Sequence, residues 1–247
     1  MKLSATIVAL NEERNIVRAI ESLHSADEIV VVDSGSTDRT RDVARSLGAR
    51  VIEEPWRGYA AQKNFAAQCA EHDWILSLDA DESLGEVLEA EILELKRDGP
   101  RFDAYDMPRL AQYCGRWILH SGWYPDPKVR LYHRKRASWA GDFVHESVRV
   151  NGTLGHLQGK LLHFTCNSVD DHLKTLNRYT TLAAQDLVAK QSPSPLWKLA
   201  LDPIWTFLRS YVIWQGFRDG PQGFTIARMA ALYTFLKYSK ARELRRR

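Results

Sequence analysis

The amino-acid sequence predicts an α/β protein built on a parallel sheet. Over the first hundred residues, short runs of apolar and β-branched residues alternate with segments whose apolar residues recur at helical spacing. The apolar runs are continuous, which is typical of strands buried on both faces of a parallel sheet. No apolar stretch approaches the roughly 20 residues that a membrane-spanning helix needs. These observations predict a helix-covered sheet of the nucleotide-binding type.

The composition is that of an ordinary globular protein. Of the 247 residues, 45% are hydrophobic and 26% are charged, which excludes disordered and fibrous proteins. Three scattered cysteines are too few for a disulfide framework or a zinc knuckle, so we expect a reducing compartment. The first apolar run is short and ends at Asn11 without a small-residue cleavage site. We therefore expect a buried strand there and a protein that is not secreted.

The first hundred residues are predicted to alternate between strand and helix, with glycine, asparagine and serine marking the helix ends. The predicted strands are Thr6–Leu10, Glu28–Val32, Arg50–Ile52 and Trp74–Leu78. Four helices are predicted between and after these strands. The first follows an N-cap at Asn11, the second runs from Thr37 to Gly48, the third spans Tyr59–Ala70, and the fourth runs from a capping box of Ser83 and Glu86 to about Lys96.

Beyond residue 100, glycine, proline and aromatic residues interrupt shorter β-like segments, and helical spacing then returns. The predicted strands are Ala104–Met107, Val129–His133, Phe143–Val150 and Lys160–Phe164. The predicted helices are Asp170–Lys190, a segment from an N-cap at Asp202 and Pro203 to about Gly216, and Thr225–Glu243. Residues 192–195 (SPSP) are typical of a linker.

These patterns divide the chain into two predicted domains. Residues 1–190 form an α/β domain, with one half over residues 1–100 and the other over 101–190. Residues 191–247 form a basic, aromatic pair of amphipathic helices. Residues 190–247 hold 11 basic and 3 acidic residues and 10 of the 25 aromatic residues, whereas the rest of the chain has a net charge of −5. This asymmetry indicates different partners for the two parts.

Three polar clusters follow strands of the predicted sheet. They are residues 11–13 (NEE), 33–38 (DSGSTD) and 79–81 (DAD). Each alone is also typical of an ordinary turn. Because ligands of parallel α/β sheets bind outside the carboxyl ends of the strands, we expect the three clusters to form one site. Asp79 and Asp81 suit Mg²⁺ or Mn²⁺ shared with diphosphate oxygens. The chain lacks a P-loop and a Gly-x-Gly-x-x-Gly turn, which leaves a nucleoside diphosphate held by metal.

In order and spacing, four motifs resemble those of family 2 glycosyltransferases, which have the GT-A fold, a Rossmann-like fold of nucleotide-diphospho-sugar transferases. The motifs are residues 6–13 (TIVALNEE), 30–38 (VVVDSGSTD), 62–64 (QKN) and 78–82 (LDADE). Residues 123–126 (WYPD), 129–132 (VRLY) and 144–146 (VHE) resemble one subgroup, the bacterial lipopolysaccharide core enzymes that add β-1,4-glucose to the inner-core heptose. The resemblance covers about residues 1–180.

The resemblance implies a binding site for a UDP-sugar donor. Asp33 would hydrogen-bond the uracil, and the loop after the first strand would line the same pocket. Lys63 would lie near the base or the diphosphate; the alternative is a solvated helix lysine. The residues expected to contact the donor are Leu10, Asn11, Glu13, Asp33, Lys63, Asp79 and Ala80.

The resemblance also implies a divalent cation, Mg²⁺ or Mn²⁺, as cofactor. Asp81 would ligate it directly, and Asp79 would face both the ribose and the metal. His163 is a candidate for a later ligand; the alternative is a core histidine. Arginines that would hold phosphates of donor or acceptor, or else form surface ion pairs, are Arg130, Arg109 and Arg116.

An inverting displacement at the anomeric carbon needs a carboxylate that takes the proton of the acceptor hydroxyl. Glu146 is the expected base, because the family places its base in this irregular half. Asp142 and Asp126 are the alternatives, since either would also cap a turn. Positive charge, here the metal, would stabilise the departing UDP.

The C-terminal helices have two interpretations. Residues 197–247 would lie on a membrane surface, with aromatic side chains at the headgroups and basic ones on anionic lipid, or they would pack on the catalytic domain or a second copy. Nucleic acid is not expected, because the basic patch comes without a known binding module. We expect a peripheral protein on the cytoplasmic face of a bacterial inner membrane. Its oligomeric state stays open.

The resulting hypothesis is a metal-dependent, inverting transferase that moves a sugar, glucose by the subgroup's pattern, from a UDP-sugar to the inner-core heptose of lipopolysaccharide. No residue by itself discriminates glucose from other sugars. The alternatives are a polyprenyl-phosphate glycosyltransferase and a non-catalytic sugar-nucleotide-binding or membrane scaffold protein.

Overall fold

The computed structural model describes residues 1–141, 146–192 and 195–246, and the chain divides into two structural units. The first unit comprises Met1–Arg109 and Asp126–Phe164, and the second comprises Leu110–Pro125 and Thr165–Arg247. The second unit therefore begins earlier than the predicted boundary at residue 190. The cause of this earlier start is packing. One small hydrophobic core contains residues from both segments of the second unit: Tyr113, Ile118, Cys166 and Ile226.

The described residues form strands and helices in mixed order. The strands are β1 (Leu3–Ala9), β2 (Glu28–Asp33), β3 (Arg50–Glu53), β4 (Trp74–Asp79), β5 (Glu82–Leu84), β6 (Ala104–Tyr113), β7 (Arg116–Trp117), β8 (Asp126–His133), β9 (Ala137–Ala140), β10 (Ser147–Val150), β11 (Leu154–His156) and β12 (Leu161–Cys166). The helices are α1 (Ile16–Glu21), α2 (Thr40–Ser46), α3 (Tyr59–Cys69), α4 (Glu86–Asp98), α5 (Val169–Ala189), α6 (Leu196–Leu208) and α7 (Gly220–Leu244). A π-helical turn, Arg209–Ile213, and a 3₁₀ turn, Gly216–Asp219, connect α6 to α7.

The main sheet has the strand order β3-β2-β1-β4-β8-β6-β12-β5. The strands β3, β2, β1 and β4 are parallel, as predicted, whereas β8 pairs antiparallel with β4 and with β6. In register, Ala9 lies opposite Asp33, and Val8 lies opposite Asp79. The carboxyl ends of β1, β2 and β4 therefore meet at one edge. The antiparallel extension follows from the short connections after α4, which leave no room for crossover helices.

Helices cover both faces of the parallel strands, as the continuous apolar runs predict. Along β2, Val31 packs in the main core with Ile16 of α1 and Ile92 of α4, and Val30 and Val32 pack against Ala66 of α3. Alternate residues of one strand thus serve two cores, because successive side chains point to opposite faces. Each fully buried Ile or Leu contributes about 1.5–3 kcal/mol relative to an exposed one.

Two predicted helix starts in the first unit are wrong. Asn11 is not an N-cap: it has a left-handed backbone (φ 57°), and α1 begins at Ile16 after Asn15. The second helix begins at Thr40 rather than Thr37, because the amide oxygen of Asn11 accepts the backbone N–H of Thr37 (2.8 Å) and holds it in a loop.

The predicted capping box at Ser83 is also wrong. Ser83 is buried in β5, opposite Leu162 of β12, and α4 begins at Glu86 after Gly85. A three-residue strand carries no periodicity that distinguishes it from a helix start, so sequence signals alone miss it.

The C-terminal helices exist as predicted, but both begin earlier. Pro203 lies inside α6, which starts at Leu196, and α7 starts at Gly220 with Pro221 in its first turn. A proline in the first turn is favourable because the N–H that it lacks has no helical partner there. Because α6 already begins at Leu196, Asp202 lies inside this helix and is not an N-cap.

Candidate active site

The loops that follow β1 and β2 are joined by side-chain to backbone hydrogen bonds. The backbone N–H of Asn11 donates to Ser36 Oγ (2.8 Å), and that of Glu12 donates to Thr40 Oγ1 (2.8 Å). Asn11 in turn accepts the N–H of Thr37, and its left-handed backbone is one that asparagine tolerates better than most residues. Two of the three predicted polar clusters therefore form a single rim at the sheet edge.

Asp33 lies completely buried at the end of β2 and organises its own loop. Its Oδ1 accepts the N–H groups of Gly35 (3.1 Å) and Ser36 (2.8 Å), Arg41 Nε lies 3.8 Å from the same oxygen, and the hydroxyl of Ser36 donates to Oδ2. With no exposed surface, the carboxylate serves to hold Gly35 and Ser36 of this loop in place.

The flanking residues Leu10 and Glu13 lie on the same rim. Leu10 is 51% exposed, and Glu13 accepts the backbone N–H of Arg39 (3.1 Å). An exposed leucine directly after a buried strand leaves an apolar surface beside the polar loop.

A cluster of alternating charges occupies the ends of β4 and β8. Lys63 Nζ lies 2.7 Å from Asp79 Oδ1, and Arg130 Nη2 lies 2.8 Å from Asp79 Oδ2. Lys63 and Arg130 are only 5% and 4% exposed. The alternative of a solvated helix lysine is therefore wrong, because α3 directs Lys63 inward onto Asp79. Both oxygens of Asp79 are paired with cations.

Glu82 is the buried centre of this cluster, and sequence reasoning gave it no role. It accepts Arg130 Nε at 2.8 Å and Nη2 at 2.7 Å, and Arg109 Nη1 lies 3.5 Å from it. Arg109 continues to Asp126 (2.6 Å). The only sequence signal for Glu82 is its place directly after the Asp-x-Asp cluster.

The charges shift two proton affinities in opposite directions. Burial alone would raise the pKa of Asp79, but Arg130 and Lys63 outweigh it and hold that pKa well below its usual range. Burial alone would lower the pKa of Arg130, but Glu82 and Asp79 raise it above its ordinary value. Asp79 therefore stays a carboxylate and Arg130 a cation at any physiological pH.

Glu146 belongs to the same cluster, 83 residues from Lys63 along the chain. Lys63 Nζ lies 3.3 Å from Glu146 Oε1 and 4.1 Å from the ring centroid of the buried Trp139, whose face also lies 5.1 Å from Arg130 Cζ. The carboxylate, two cations and the aromatic ring thus form one group. Asp142, Val144 and His145 lie outside the described residues.

Asp126, the other alternative base, has different neighbours. It pairs with Arg109 and with Lys128 Nζ (2.9 Å). Arg116 lies outside this cluster, since it belongs to the second unit and its Nη2 donates to the carbonyl of Arg218 (3.3 Å).

Asp81 and His163 are brought together by the pairing of β12 with β5. His163 lies opposite Glu82 in register, and its Nε2 lies 3.1 Å from Asp81 Oδ2. Ala80 between the two aspartates is buried. Among the described residues, no three His, Cys, Asp or Glu side chains are arranged as a metal site. The pair therefore supplies two donor atoms, a hard carboxylate oxygen and an imidazole nitrogen.

Glu12 belongs to the first predicted polar cluster, residues 11–13, but has no individual role among the predicted site residues. Burial raises the pKa of its carboxyl, and Asp81, Asp38 and Asp79 raise it further, against a hydrogen bond from Asn15 that lowers it. Clustered carboxylates that destabilise one another's charged forms are typical of functional sites.

Comparison with known proteins identifies the family to which the chain belongs. The family model for glycosyl transferase family 2 matches residues 4–148. An uncharacterized glycosyltransferase of Rickettsia typhi is 36% identical over 98% of this chain and 87% of its own. A lipopolysaccharide core biosynthesis glycosyltransferase, LpsC, of Rhizobium meliloti is 34% identical over 97% of this chain and 92% of its own.

Among solved structures, glucosyl-3-phosphoglycerate synthase from Mycobacterium tuberculosis, in complex with Mn²⁺, UDP and glucosyl-3-phosphoglycerate, aligns with a TM-score of 0.50 at 18% identity, covering 78% of this chain and 81% of that one. The chain therefore belongs to glycosyltransferase family 2 and has the GT-A fold that its motifs predict.

Proposed function

We propose that this enzyme transfers a sugar, with inversion, from a UDP-sugar to a saccharide of the lipopolysaccharide inner core, glucose and heptose being the pair that the motif resemblance favours. The observation that carries the proposal is the group of Asp79, Lys63, Arg130 and Glu146 at the edge where β1, β2 and β4 end. The similarity to LpsC over nearly the whole chain supports the lipopolysaccharide assignment.

In the half over residues 1–100, the rim formed by the loops after β1 and β2 would receive the nucleoside. Asp33, which is completely buried, would hold the loop that receives the uracil rather than contact the base, and the exposed Leu10 would pack against the donor. Lys63 and Arg130 would face the diphosphate, where buried cations act strongly because little water screens them.

A divalent cation fits Asp81 and His163 better than Asp79. Among the described residues, the side chains of Asp81 and His163 pair only with one another, and an oxygen and an imidazole nitrogen suit Mn²⁺, with diphosphate oxygens filling further positions. Both oxygens of Asp79 already pair with cations. When bound, the cation would supply positive charge to the departing diphosphate.

Glu146 would act as general base. Its carboxylate would take the proton of the attacking acceptor hydroxyl as the new glycosidic bond forms. Lys63, at 3.3 Å, would orient this carboxylate, and Trp139 would hold Lys63 in place from the other side.

A thermal-shift screen of UDP, GDP and CDP, with and without Mn²⁺ or Mg²⁺, tests the proposal. UDP at 100 times its Kd should add about 2.7 kcal/mol, which raises Tm by about 5–10 °C. We expect the shift to be selective for UDP, to require metal, and to disappear in Asp81→Ala. The exposed Asp42→Ala serves as the control that keeps it. No shift with any nucleotide would favour the non-catalytic scaffold.

We further propose that α6 and the turn after it rest on a membrane surface. None of the helices in the described part of the chain combines the length and the apolarity that crossing a bilayer requires. The exposed large apolar residues of this segment are Leu196, Trp197, Leu201, Ile204, Trp205, Leu208, Val212, Ile213, Trp214 and Phe217. Such a surface is typical of an interfacial helix.

The basic C-terminus contributes less to this surface than its sequence indicates. Lys240 Nζ donates to the carbonyl of Asn177 (2.9 Å) and to Thr180 Oγ1 (2.8 Å), and Arg245 donates to the carbonyls of Leu187 and Ser192. These cations bind α5 and the residues after it, so the membrane proposal rests on the aromatic and aliphatic side chains.

A further inference from the structure

The second unit contains an open cavity of about 410 Å³ that none of the proposed catalytic residues lines. Helices α5, α6 and α7 and the π-helical turn form its walls. Its polar lining residues include Arg209, Lys237, His172, Thr206 and Thr234, and none of the lining residues that the structure describes is acidic.

Arg209 presents a buried group without a partner. Its Nε is shielded from solvent and has no hydrogen-bond partner among the described residues, and the contact that its guanidinium makes is with the face of Trp214, 4.6 Å from the ring centroid. Because a buried donor without an acceptor is unfavourable, such a group is expected to have an acceptor under working conditions.

Lys237 is a second cation at the same cavity. Its Nζ lies 4.7 Å from the ring of Tyr238, and in the described part of the chain it forms no ion pair. Burial lowers the pKa of Lys237, and Lys198 adds to this, while Asp202, which hydrogen-bonds with Tyr238, opposes it. Among the described residues, neither cation forms an ion pair, and Asp202 is the acidic group whose charge acts on Lys237.

We propose that this cavity binds the phosphate group of a phosphate ester, held by Arg209 and Lys237. The planar guanidinium matches two phosphate oxygens at once, and the lysine ammonium adds a point charge. The hydroxyl of Thr234 already donates to the carbonyl of Ala230 (3.1 Å), so Thr206, whose Oγ1 lies 3.3 Å from that of Thr234, would donate to a remaining oxygen.

The phosphate has two chemical sources, a lipid headgroup or a soluble phosphate ester. The same stretch of chain that places Thr206 and Arg209 in the cavity leaves Trp205 and Leu208 exposed beside them. The residues that would hold the phosphate are therefore sequence neighbours of exposed apolar residues. A lipid likewise joins its headgroup phosphate to apolar acyl chains.

Titration calorimetry on the full chain tests the proposal with three probes: dihexanoyl phosphatidylglycerol below its micelle concentration, glycerol 3-phosphate and inorganic phosphate. We expect at least one probe to bind, and Arg209→Gln and Lys237→Gln to weaken its affinity tenfold or more. Arg209→Lys, which keeps the charge and loses the planar fork, should weaken it less. The matched control is Arg228→Gln, an exposed charge on α7 outside the lining.

Binding of the lipid alone assigns the site to a headgroup, and binding of the soluble probes assigns it to a soluble ester. Binding of none, or equal binding by wild type and the Arg209 and Lys237 variants, would overturn the proposal. A UDP thermal shift on Arg209→Gln separates the two proposals, because this variant should keep the nucleotide response of the first unit.

Discussion

At the scale of single residues, the candidate active site is a balance of buried charges. Lys63 and Arg130 neutralise Asp79, and Glu82 neutralises Arg130 from the other side. Removing one partner of a buried ion pair is far more costly than replacing the whole pair, because the remaining charge stays buried without compensation. We therefore expect some substitutions in this cluster to lower the free energy of unfolding and others to lower turnover alone.

Glu82→Gln should therefore destabilise the fold. The substitution removes the charge that faces Arg130 at two atoms and Arg109 at one, so we expect a loss of about 3–5 kcal/mol in the free energy of unfolding, measured by urea denaturation. The control is Glu21→Gln at the exposed end of α1, which should change stability by less than about 0.5 kcal/mol. Equal stability of the two variants would contradict the central place of Glu82.

Glu146→Gln should instead reduce turnover without preventing the donor from binding. Without a general base, turnover should fall about 10²–10⁴-fold, while the UDP thermal shift persists. Asp126→Asn is the comparison, since Asp126 pairs with Arg109 and Lys128 rather than with Lys63. Near-wild-type turnover of Glu146→Gln would reject the base assignment and favour an acceptor that needs no base, such as a polyprenyl phosphate.

At the scale of elements, one carboxylate joins the beginnings of two strands to α4. Asp27, just before β2, accepts the N–H of Leu3 (2.9 Å) and pairs with Lys96 (2.8 Å) and Lys2 (3.0 Å). Burial alone would raise the pKa of Asp27, but these donors and cations hold it well below its usual range.

The acid stability of the fold should reflect this contact. The pKa of Asp27 is lower in the folded than in the unfolded state, where it is about 3.9, so its contribution is complete above that value and is lost as pH falls. We expect the free energy of unfolding of wild type to fall more steeply between about pH 5 and 2 than that of Asp27→Asn. Parallel curves in urea denaturation at graded pH would contradict this.

Element boundaries show where sequence signals are weak. The strands of the parallel half were predicted within one to three residues, because long apolar runs leave little freedom. Asn11, Thr37 and Ser83 have the right chemistry for helix starts, yet each lies in a loop or a strand. Asn11 and Thr37 hydrogen-bond to each other, and Ser83 pairs with β12 opposite Leu162, so tertiary contacts outweigh local capping, a competition that sequence spacing does not register.

At the scale of the whole molecule, the exposed apolar surface should decide where the protein resides. Trp197→Ser with Trp205→Ser should reduce co-sedimentation with anionic phosphatidylglycerol vesicles several-fold, because each tryptophan is more than half exposed and would insert at the headgroups. Trp56→Ser, at a tryptophan 49% exposed in the first unit, is the matched control and should sediment like wild type. Failure of the wild-type protein to sediment at low salt would reject the membrane proposal.

The sequence by itself determined the parallel α/β half and the family, because both depend on local patterns: continuous apolar strands, amphipathic helices, and polar clusters directly after β1, β2 and β4. Only the tertiary structure decided what these clusters contact. Arg130 reaches Asp79 across 51 residues, and His163 and Glu146 reach Asp81 and Lys63 across more than 80. Those pairings depend on the antiparallel extension of the sheet, whose register arises from packing among distant strands and not from any local signal.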